Sequence, residues 1–275
     1  MQTTIVAGGL RAFDGDLDRF IIFSLIVRES LGNADRSAAI STYSLALSLG
    51  RPFETVRRHV NALIVAGHAM RIPRGVTVAA AAWTVPAIAA LMTLTHDSFV
   101  RFVEDSLPHL GDAPRRGPIA YSHGVGVQAA ADLMLTALDS NRQIHGGWID
   151  LVLFSTVLHT NMLRLHAGRA AGSTGALTAD HAVRASVIAR ALAISETTVR
   201  RRLADMAGPG RPLRRVREGL MISIEWLDSP AAIDTSLRTY SGIRRIVARA
   251  AAQGFPIDAP AQAYIAGRPP IWEAR

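Results

Sequence analysis

The string Thr-Val-Arg-Arg occurs twice in this chain, as residues 55–58 and, 143 positions later, as residues 198–201. The same offset gives six further identities in the segment 43–83, namely Ala46 with Ala189, Leu49 with Leu192, Gly67 with Gly210, Arg71 with Arg214, Arg74 with Arg217 and Trp83 with Trp226. Ten identities in 41 positions without a gap indicate the internal duplication of a whole supersecondary unit. The chain is therefore expected to contain two copies of one fold.

Each copy has the pattern of two short helices joined by a tight turn. Gly50 marks the turn in the first copy, and Ala193 and Ile194 form it in the second, ahead of the favourable N-cap Ser195. The apolar residues of the second helix recur at helical spacing, as Val56, Val60 and Leu63 in the first copy and as Val199, Leu203 and Met206 in the second. This pattern predicts a helix-turn-helix in each copy.

A two-stranded β wing is predicted after each helix-turn-helix. The first wing has strands over 69–72 and 76–79 around a turn at 73–75, and the second has strands over 213–216 and 220–224 around 217–219. Longer apolar or amphipathic patterns predict further helices over 17–31, 88–107, 128–138, 148–158 and 231–253. Phe23-Ser24 and Phe154-Ser155 in two of these helices are related by an offset of 131. The fold class is therefore mainly α with small β wings, and long helices join the two units.

Glycine and proline are concentrated between the two copies. This composition predicts a linker at 109–126, a first domain over 1–108 and a second over 127–275. The tail from Pro256, which has four prolines in its first fifteen residues, is predicted to be irregular.

The two units resemble the winged helix-turn-helix domains of bacterial regulators of the MarR and GntR type. In that motif a small residue of the first helix is followed by a small residue four positions later and by Val or Ile six positions after that. The matching residues are Ala46, Gly50 and Val56 in the first copy and Ala189, Ala193 and Val199 in the second. The resemblance covers 41–83 and 184–226 and implies a tandem duplication in a DNA-binding transcription regulator. Arg51 departs from the pattern, because the second copy has the apolar Ile194 there, and it predicts looser packing in the first unit.

The outward face of each second helix, together with the wing, is the predicted DNA interface. Arginine pairs with guanine, and threonine near a helix start holds phosphate. The residues expected to contact DNA are Thr55, Arg57, Arg58, Asn61, Arg71 and Arg74 in the first unit and Thr197, Thr198, Arg200, Arg201, Arg214, Arg215 and Arg217 in the second. Seven arginines against one aspartate between Arg200 and Arg217 predict that the second unit binds DNA more strongly.

The net charge of +8 favours an anionic partner, with double-stranded DNA first. All 30 basic residues are arginine, which a GC-rich genome also produces, so their placement carries more weight than their number. The absence of cysteine excludes disulfides and thiolate chemistry within this chain. A cytoplasmic, nucleoid-associated protein is expected, because residues 1–14 lack the pattern of a secretory signal.

Other chemistry has little support in the sequence. No nucleophile is paired with a base, so no enzyme is predicted, and neither a cofactor nor a metal is expected. His159 and His166 share a helix face without a carboxylate partner, and Gly124-Val125-Gly126 lacks the third glycine of a dinucleotide loop. Asp14, Asp16 and Asp18 are interpreted as an acidic turn ahead of a helix. The uncharged stretch 75–95 is interpreted as a buried strand and a core helix, so no membrane partner is expected.

Two alternatives to a regulator stay open. A plasmid-type replication initiator also pairs two winged helices, and a winged helix can serve as a protein-interaction module without binding DNA. A homodimer is compatible with either, since a duplicated chain can still pair with a second copy. Whether the protein has a small-molecule effector stays open.

Overall fold

The computed structural model describes residues 1–32, 38–111, 114–141, 144–170 and 175–274. These residues are mainly helical and include two small antiparallel sheets of two strands each. The expected fold class of mainly α with small β elements is confirmed at this level. The chain divides into two compact units, the first formed mainly by Thr3–Thr136 and Ser241–Pro270 and the second mainly by Ala137–Tyr240.

The elements follow one another in a similar order in both halves of the chain. In the first half they are α1 (Gln2–Ala12), α2 (Leu17–Gly32), α3 (Thr42–Leu49), α4 (Phe53–Val65), β1 (Ala69–Ile72), β2 (Gly75–Val78) and α5 (Pro86–Ser106). In the second half they are α6 (His123–Asn141), α7 (Trp148–Ala170), α8 (Ala185–Leu192), α9 (Glu196–Asp205), β3 (Leu213–Val216), β4 (Gly219–Ile222), α10 (Ile224–Leu227) and α11 (Pro230–Ala252). Short 3₁₀ turns cover Ala80–Thr84, Leu107–His109, Ala179–His181 and Pro260–Ala263.

The core of the first unit is centred on α2, which packs against α4 and β2. The buried face of α2 supplies Phe20 and Phe23, and the turn before α2 supplies Phe13. All three side chains are at most 2% exposed. The rings of Phe13 and Phe23 lie 5.2 Å apart between centroids. The continuous apolar run of α2 is thus explained by burial on several sides. The helix α1, which the sequence did not predict, adds Ile5, Val6 and Leu10 to this core.

In the second unit α7 takes the equivalent place and packs against α8, α9 and β4. Val199 and Leu203 of α9 are at most 1% exposed, and Phe154 of α7 lies against Trp226 with ring centroids 5.5 Å apart. The offset of 131 between Phe23 and Phe154 therefore relates two helices with the same role in their units.

The constant offset of 143 is wrong beyond the second helix of each copy. α3 and α8, and the starts of α4 and α9, keep that offset, but the strands β3 and β4 lie 144 positions after β1 and β2. The second copy therefore has one more residue than the first between the start of its second helix and the start of its first strand. Arg71 therefore corresponds to Arg215, and the identities at Arg71, Arg74 and Trp83 do not mark equivalent places.

Two predicted strands are also shifted. The return strands expected at 76–79 and 220–224 are Gly75–Val78 and Gly219–Ile222, because both glycines pair within the hairpin and Ser223 begins α10 as its N-cap.

Residues 109–126, which were predicted to form a linker, belong to the first compact unit. Within this segment, residues 112–113 lie outside the described part of the chain. Gly117 N donates to Ala251 O at 2.8 Å within that unit. In the tail after Pro256, as far as residue 274, the one regular element is the 3₁₀ turn Pro260–Ala263, which packs on α5. The buried Asp97 of α5 accepts hydrogen bonds from the backbone N of Ile265 and Ala266.

Candidate nucleic-acid interface

A left-handed residue joins the two short helices in both units. Gly50 ends α3 with φ of 61°, and Ala193 ends α8 with φ of 52°. After the turn, Arg51 N donates to Ala46 O at 3.1 Å and Ile194 N donates to Ala189 O at 3.0 Å. The left-handed conformation is ordinary for glycine but costs alanine about 1 to 2 kcal/mol. The small residues expected at the turn therefore form the same backbone structure twice.

Burial of one face orients the second helix of each pair. In α4, the side chains of Val56, Val60 and Leu63 are completely buried. In α9, Val199 is completely buried and Leu203 is 1% exposed. Met206, the last residue of the predicted stripe, is the C-cap of α9 and is also buried. Because these residues face the core, the remaining side of each helix faces solvent.

The solvent face of α4 brings together four of the predicted residues. Thr55, Arg57, Arg58 and Asn61 line one open cavity of about 390 Å³ with Glu54. Arg57 donates from Nε to Glu54 Oε2 at 2.8 Å, and this hydrogen bond is the main cause that raises the pKa of Arg57. Arg71 of β1 donates from Nη2 to Asn61 Oδ1 at 2.9 Å, which joins the hairpin to this face.

The solvent face of α9 has the corresponding arrangement. Thr197, Arg200 and Arg201 are exposed and Thr198 is half-buried. Arg200 donates from Nε to Glu196 Oε1 at 2.7 Å. Among the described residues, Arg58 and Arg201 form no hydrogen bond or ion pair, so one arginine of each Arg-Arg pair is held by a carboxylate and the other is uncommitted.

The residue after each Arg-Arg pair anchors its helix to the rest of the unit. His59 Nδ1 lies 3.4 Å from Asp16 Oδ2, and at the equivalent place Arg202 Nη1 lies 3.3 Å from Asp150 Oδ2. Arg202 is half-buried, so it contributes less to the basic surface than its place among the seven arginines suggested. No local pattern indicated these partners, which lie 43 and 52 residues away in the chain.

The acidic turn before α2 has a structural role. Asp16 Oδ1 accepts from the backbone N of Arg19 at 2.9 Å, as expected of a carboxylate near a helix start. Asp18 Oδ1 accepts from Arg51 Nη2 at 2.8 Å. Arg51, the departure from the motif, thus has a carboxylate partner next to the turn of the first unit.

The hairpins present the remaining predicted arginines to solvent. Arg74 lies in the turn of the first hairpin and Arg217 in the turn of the second. The exposed predicted residues of the two hairpins are Arg71, Arg74, Arg214, Arg215 and Arg217. In the described part of the second unit, no hydrogen bond or ion pair joins a hairpin arginine to α9; Arg214 Nη2 instead contacts Met221 Sδ at 3.9 Å.

In each unit, one residue that precedes the two short helices forms an additional β-bridge with the second strand of the hairpin. Ile40 pairs with Val76, and Val183 pairs with Leu220, each through two backbone hydrogen bonds of 2.9 to 3.0 Å. The neighbouring Gly75 and Gly219 have φ of 143° and 148°. A Cβ on either glycine would lie 2.4 to 2.5 Å from the carbonyl oxygen of Ile40 or Val183. Neither bridging residue was predicted from the sequence, since a single bridged residue has no period of its own.

A polar residue of the central helix fixes the hairpin in each unit. Ser30 Oγ accepts from Val78 N at 3.1 Å, and Asn161 Oδ1 accepts from Ile222 N at 2.8 Å. Asn161 is completely buried and also donates from Nδ2 to His181 O at 2.8 Å. The offset of 131 that relates Phe23 to Phe154 also relates Ser30 to Asn161, so the repeat contained a signal for this pair.

His145 is a buried histidine of the second unit and does not belong to the candidate interface. It is 2% exposed, its ring lies 4.6 Å from Phe154 between centroids, and neither ring nitrogen has a hydrogen-bond partner within the described part of the chain. Burial lowers the pKa of His145 from 6.5 to about 4. The folded chain therefore holds a neutral imidazole that the unfolded chain protonates more easily.

This burial predicts a loss of stability in acid. Below pH 6.5 the unfolded state binds a proton that the folded state does not, so the free energy of unfolding falls until the pH reaches the folded pKa of about 4. We expect the difference between wild type and His145→Phe to change by about 2 to 3 kcal/mol between pH 7 and pH 4, to the disadvantage of wild type. Urea unfolding at several pH values measures this difference. The exposed His166→Phe serves as control, and equal pH profiles for wild type and His145→Phe contradict the prediction.

Neither the family models nor the curated proteins nor the solved structures include a match to this chain.

Within the described ranges no helix combines the length and the apolar character needed to cross a membrane. The uncharged stretch 75–95 forms β2, a 3₁₀ turn and the start of α5. No group of three or more histidine and acidic side chains in the described residues is arranged to hold a metal ion. His159 Nε2 lies 2.7 Å from Trp272 O.

Proposed function

We propose that this chain is a sequence-specific regulator of transcription that binds double-stranded DNA through two winged helix-turn-helix units. The observation that carries the proposal is the matched exposure of the Arg-Arg pairs of α4 and α9, each on a helix whose opposite face is buried. A helix that follows a helix-turn-helix turn enters the major groove and presents its first residues to the bases. In this proposal α4 and α9 are the recognition helices, the hairpins are the wings, and the protein acts on the nucleoid in the cytoplasm.

The charge distribution supports DNA as the partner. The solvent faces of α4 and α9 and the two hairpins contain exposed arginines, which neutralise phosphates and pair with guanine O6 and N7. Thr55, Thr197 and Thr198 near the helix starts are suited to phosphate oxygens. Asn61, held by Arg71, is suited to adenine once that hydrogen bond opens.

The two recognition helices differ, so the proposed site is an imperfect palindrome. Phe53-Glu54 begins α4, whereas Glu196-Thr197 begins α9. Selection of bound fragments from random and genomic DNA tests the proposal. The expected result is one promoter site with two related but unequal halves. A single or a symmetric half-site contradicts the proposal, and tandem repeats at an origin favour a replication initiator.

Arginine substitutions test the roles of the two units. We expect Arg200→Ala with Arg201→Ala to weaken binding to the selected site about 100-fold, and Arg57→Ala with Arg58→Ala about 10-fold, since one base-reading arginine contributes about 1 to 3 kcal/mol. The larger effect is expected in the second unit because more arginines surround α9. Fluorescence anisotropy with labelled duplex measures the affinities.

The exposed Arg238 of α11, which pairs with Asp234 at 2.7 Å, provides a matched control. Arg238→Ala removes one positive charge that belongs to neither proposed recognition helix nor either hairpin. We expect it to change the affinity less than about 3-fold, because salt screens an exposed charge that makes no direct contact with DNA. Equal losses for the two double variants contradict a dominant second unit.

A protein-interaction module is the second candidate function, and one observation favours it. Tyr43 and Leu47 lie one turn apart on α3 and are each 68% exposed, whereas their counterparts in α8 are the polar Ser186 and Arg190. Duplex binding that weakens steeply between about 50 and 200 mM salt favours the regulator, because phosphate contacts release counterions. The exposed apolar residues Ile233, Leu237 and Tyr240 of α11 are compatible with a homodimer in either case.

A further inference from the structure

Each proposed recognition helix places a glutamate against the first arginine of its Arg-Arg pair. The side chains of Arg57 and Glu54 are 2.8 Å apart, and Arg200 Nη2 lies 2.5 Å from Glu196 Oε1. All four side chains are 45% exposed or more, so they belong to the outer surface. The glutamate is therefore part of the proposed contact surface in both units.

The two units form this pair from different positions. Arg57 and Arg200 are equivalent at the offset of 143, but Glu54 lies three residues before its arginine and Glu196 lies four residues before it. The equivalents of the glutamates are Thr197 and Phe53. The duplicated chain thus holds one arginine of each recognition helix with a carboxylate, although the residue types at the two positions have changed.

The geometry of the pair leaves a defined set of donors and acceptors. A guanidinium has five N–H donors, and in each pair one carboxylate oxygen takes the side formed by Nε and Nη2. Two N–H donors at the end of the guanidinium, one on Nη1 and one on Nη2, are not used by this pair. The second oxygen of the glutamate carboxylate is not used by it either. Two donors and one acceptor of each pair therefore remain for a ligand at this exposed surface.

This set complements one G·C base pair in the major groove. Guanine presents the acceptors N7 and O6, and cytosine presents the N4 amino donor beside them. A carboxylate on a phosphate-binding surface is otherwise unfavourable, because it repels the DNA backbone. Helix stabilisation by such pairs amounts to only about 0.2 to 0.5 kcal/mol.

We infer that Glu54 and Glu196 are specificity-determining residues, which hold Arg57 and Arg200 for guanine and accept a hydrogen bond from the paired cytosine. The inference rests on the proposed function and adds a substrate class to it, namely half-sites that contain a G·C pair opposite the start of each recognition helix. Glu196 and Glu54 also reduce binding to random duplex.

The test uses the full chain and the duplex selected by wild type, with every base pair substituted in turn. For Glu196→Ala we expect binding to random duplex to tighten about 3-fold and the preference for G·C over A·T at one position to fall about 10-fold. Glu196→Gln is expected to tighten random binding equally and to shift that position towards A·T, because glutamine pairs with adenine N6 and N7.

Glu225→Ala, at an exposed glutamate in the first turn of α10, is the matched control and should leave both quantities unchanged. Thermal unfolding confirms that each variant is folded. Unchanged base preferences in Glu196→Ala and Glu196→Gln overturn the inference and leave the regulator in place. Failure of wild type to bind any duplex overturns the proposed function, and the inference with it.

Discussion

Replacement of Gly219 by alanine is expected to lower the free energy of unfolding by about 4 kcal/mol, the sum of backbone strain and lost bridge hydrogen bonds. Gly219 has φ of 148°, a conformation that side chains rarely adopt, and a Cβ there would lie 2.4 Å from Val183 O and 2.6 Å from Val183 C. Both atoms belong to the backbone, so no rotation of a side chain relieves the contact. The hairpin must move away from Val183, which breaks the two hydrogen bonds between Val183 and Leu220.

Gly210→Ala in the same unit is the matched control. Gly210 has φ of 66° and no atom within 4 Å of an added Cβ, so only the left-handed conformation is penalised, by about 1 kcal/mol. Urea unfolding monitored by circular dichroism measures both variants. The first unit repeats the comparison, with Gly75→Ala expected to resemble Gly219→Ala and Gly67→Ala to resemble Gly210→Ala. A loss at Gly219 no larger than that at Gly210 contradicts the role assigned to this close approach.

Asn161→Ala is expected to lower the free energy of unfolding by about 4 kcal/mol, since it leaves buried polar groups of the backbone without partners. Asn161 is completely buried, accepts from Ile222 N at 2.8 Å and donates to His181 O at 2.8 Å. A longer hydrogen bond of 3.4 Å reaches Leu220 O. Faster hydrogen exchange of the Ile222 amide is expected in the same variant, because this hydrogen bond protects it.

Two further variants separate hydrogen bonding from packing at this position. Asn161→Leu fills the same space without polar atoms, so the same loss is expected from it. The half-buried Asn141, which donates one hydrogen bond to Ala137 O, provides the control Asn141→Ala with an expected loss of about 1 kcal/mol. Restoration of wild-type stability by leucine at 161 would show that packing, and not backbone satisfaction, fixes the hairpin.

Local patterns predicted the helices and hairpins because their periods are written in consecutive residues. The stripe Val56, Val60 and Leu63 and its counterpart Val199 and Leu203 are buried as the spacing indicated. The exposure of the arginines followed from the same spacing, because the residues between the buried ones face away from the core. The predictions of DNA contact at these residues stay predictions, since exposure alone does not identify a partner.

The partners of these elements could not be predicted, because they lie far away in the sequence. Asp16 and Asp150 hold the proposed recognition helices through His59 and Arg202, and nothing near either carboxylate in the chain indicates this. The change of the offset between the two copies from 143 in the helices to 144 in the hairpins could not be predicted for a related reason. The identities at the offset of 143 that lie in or after the hairpins, including Arg71 with Arg214, are coincidences that only strand pairing exposes.

The sequence by itself predicted a duplicated unit, determined which residues of each second helix face inward, and located the turns and hairpins to within about two residues. These features depend on side-chain period and on the conformational preferences of residues such as Gly50, which act over a few neighbouring positions. Only the tertiary structure decided which arginine of each Thr-Val-Arg-Arg string is paired with a glutamate and which is uncommitted. It also decided that Ser30 and Asn161 hydrogen-bond to the hairpins and that Gly75 and Gly219 lie against the backbone of Ile40 and Val183. Those properties arise when distant segments meet, since a hydrogen bond or a close backbone approach exists only between groups that the fold has brought together.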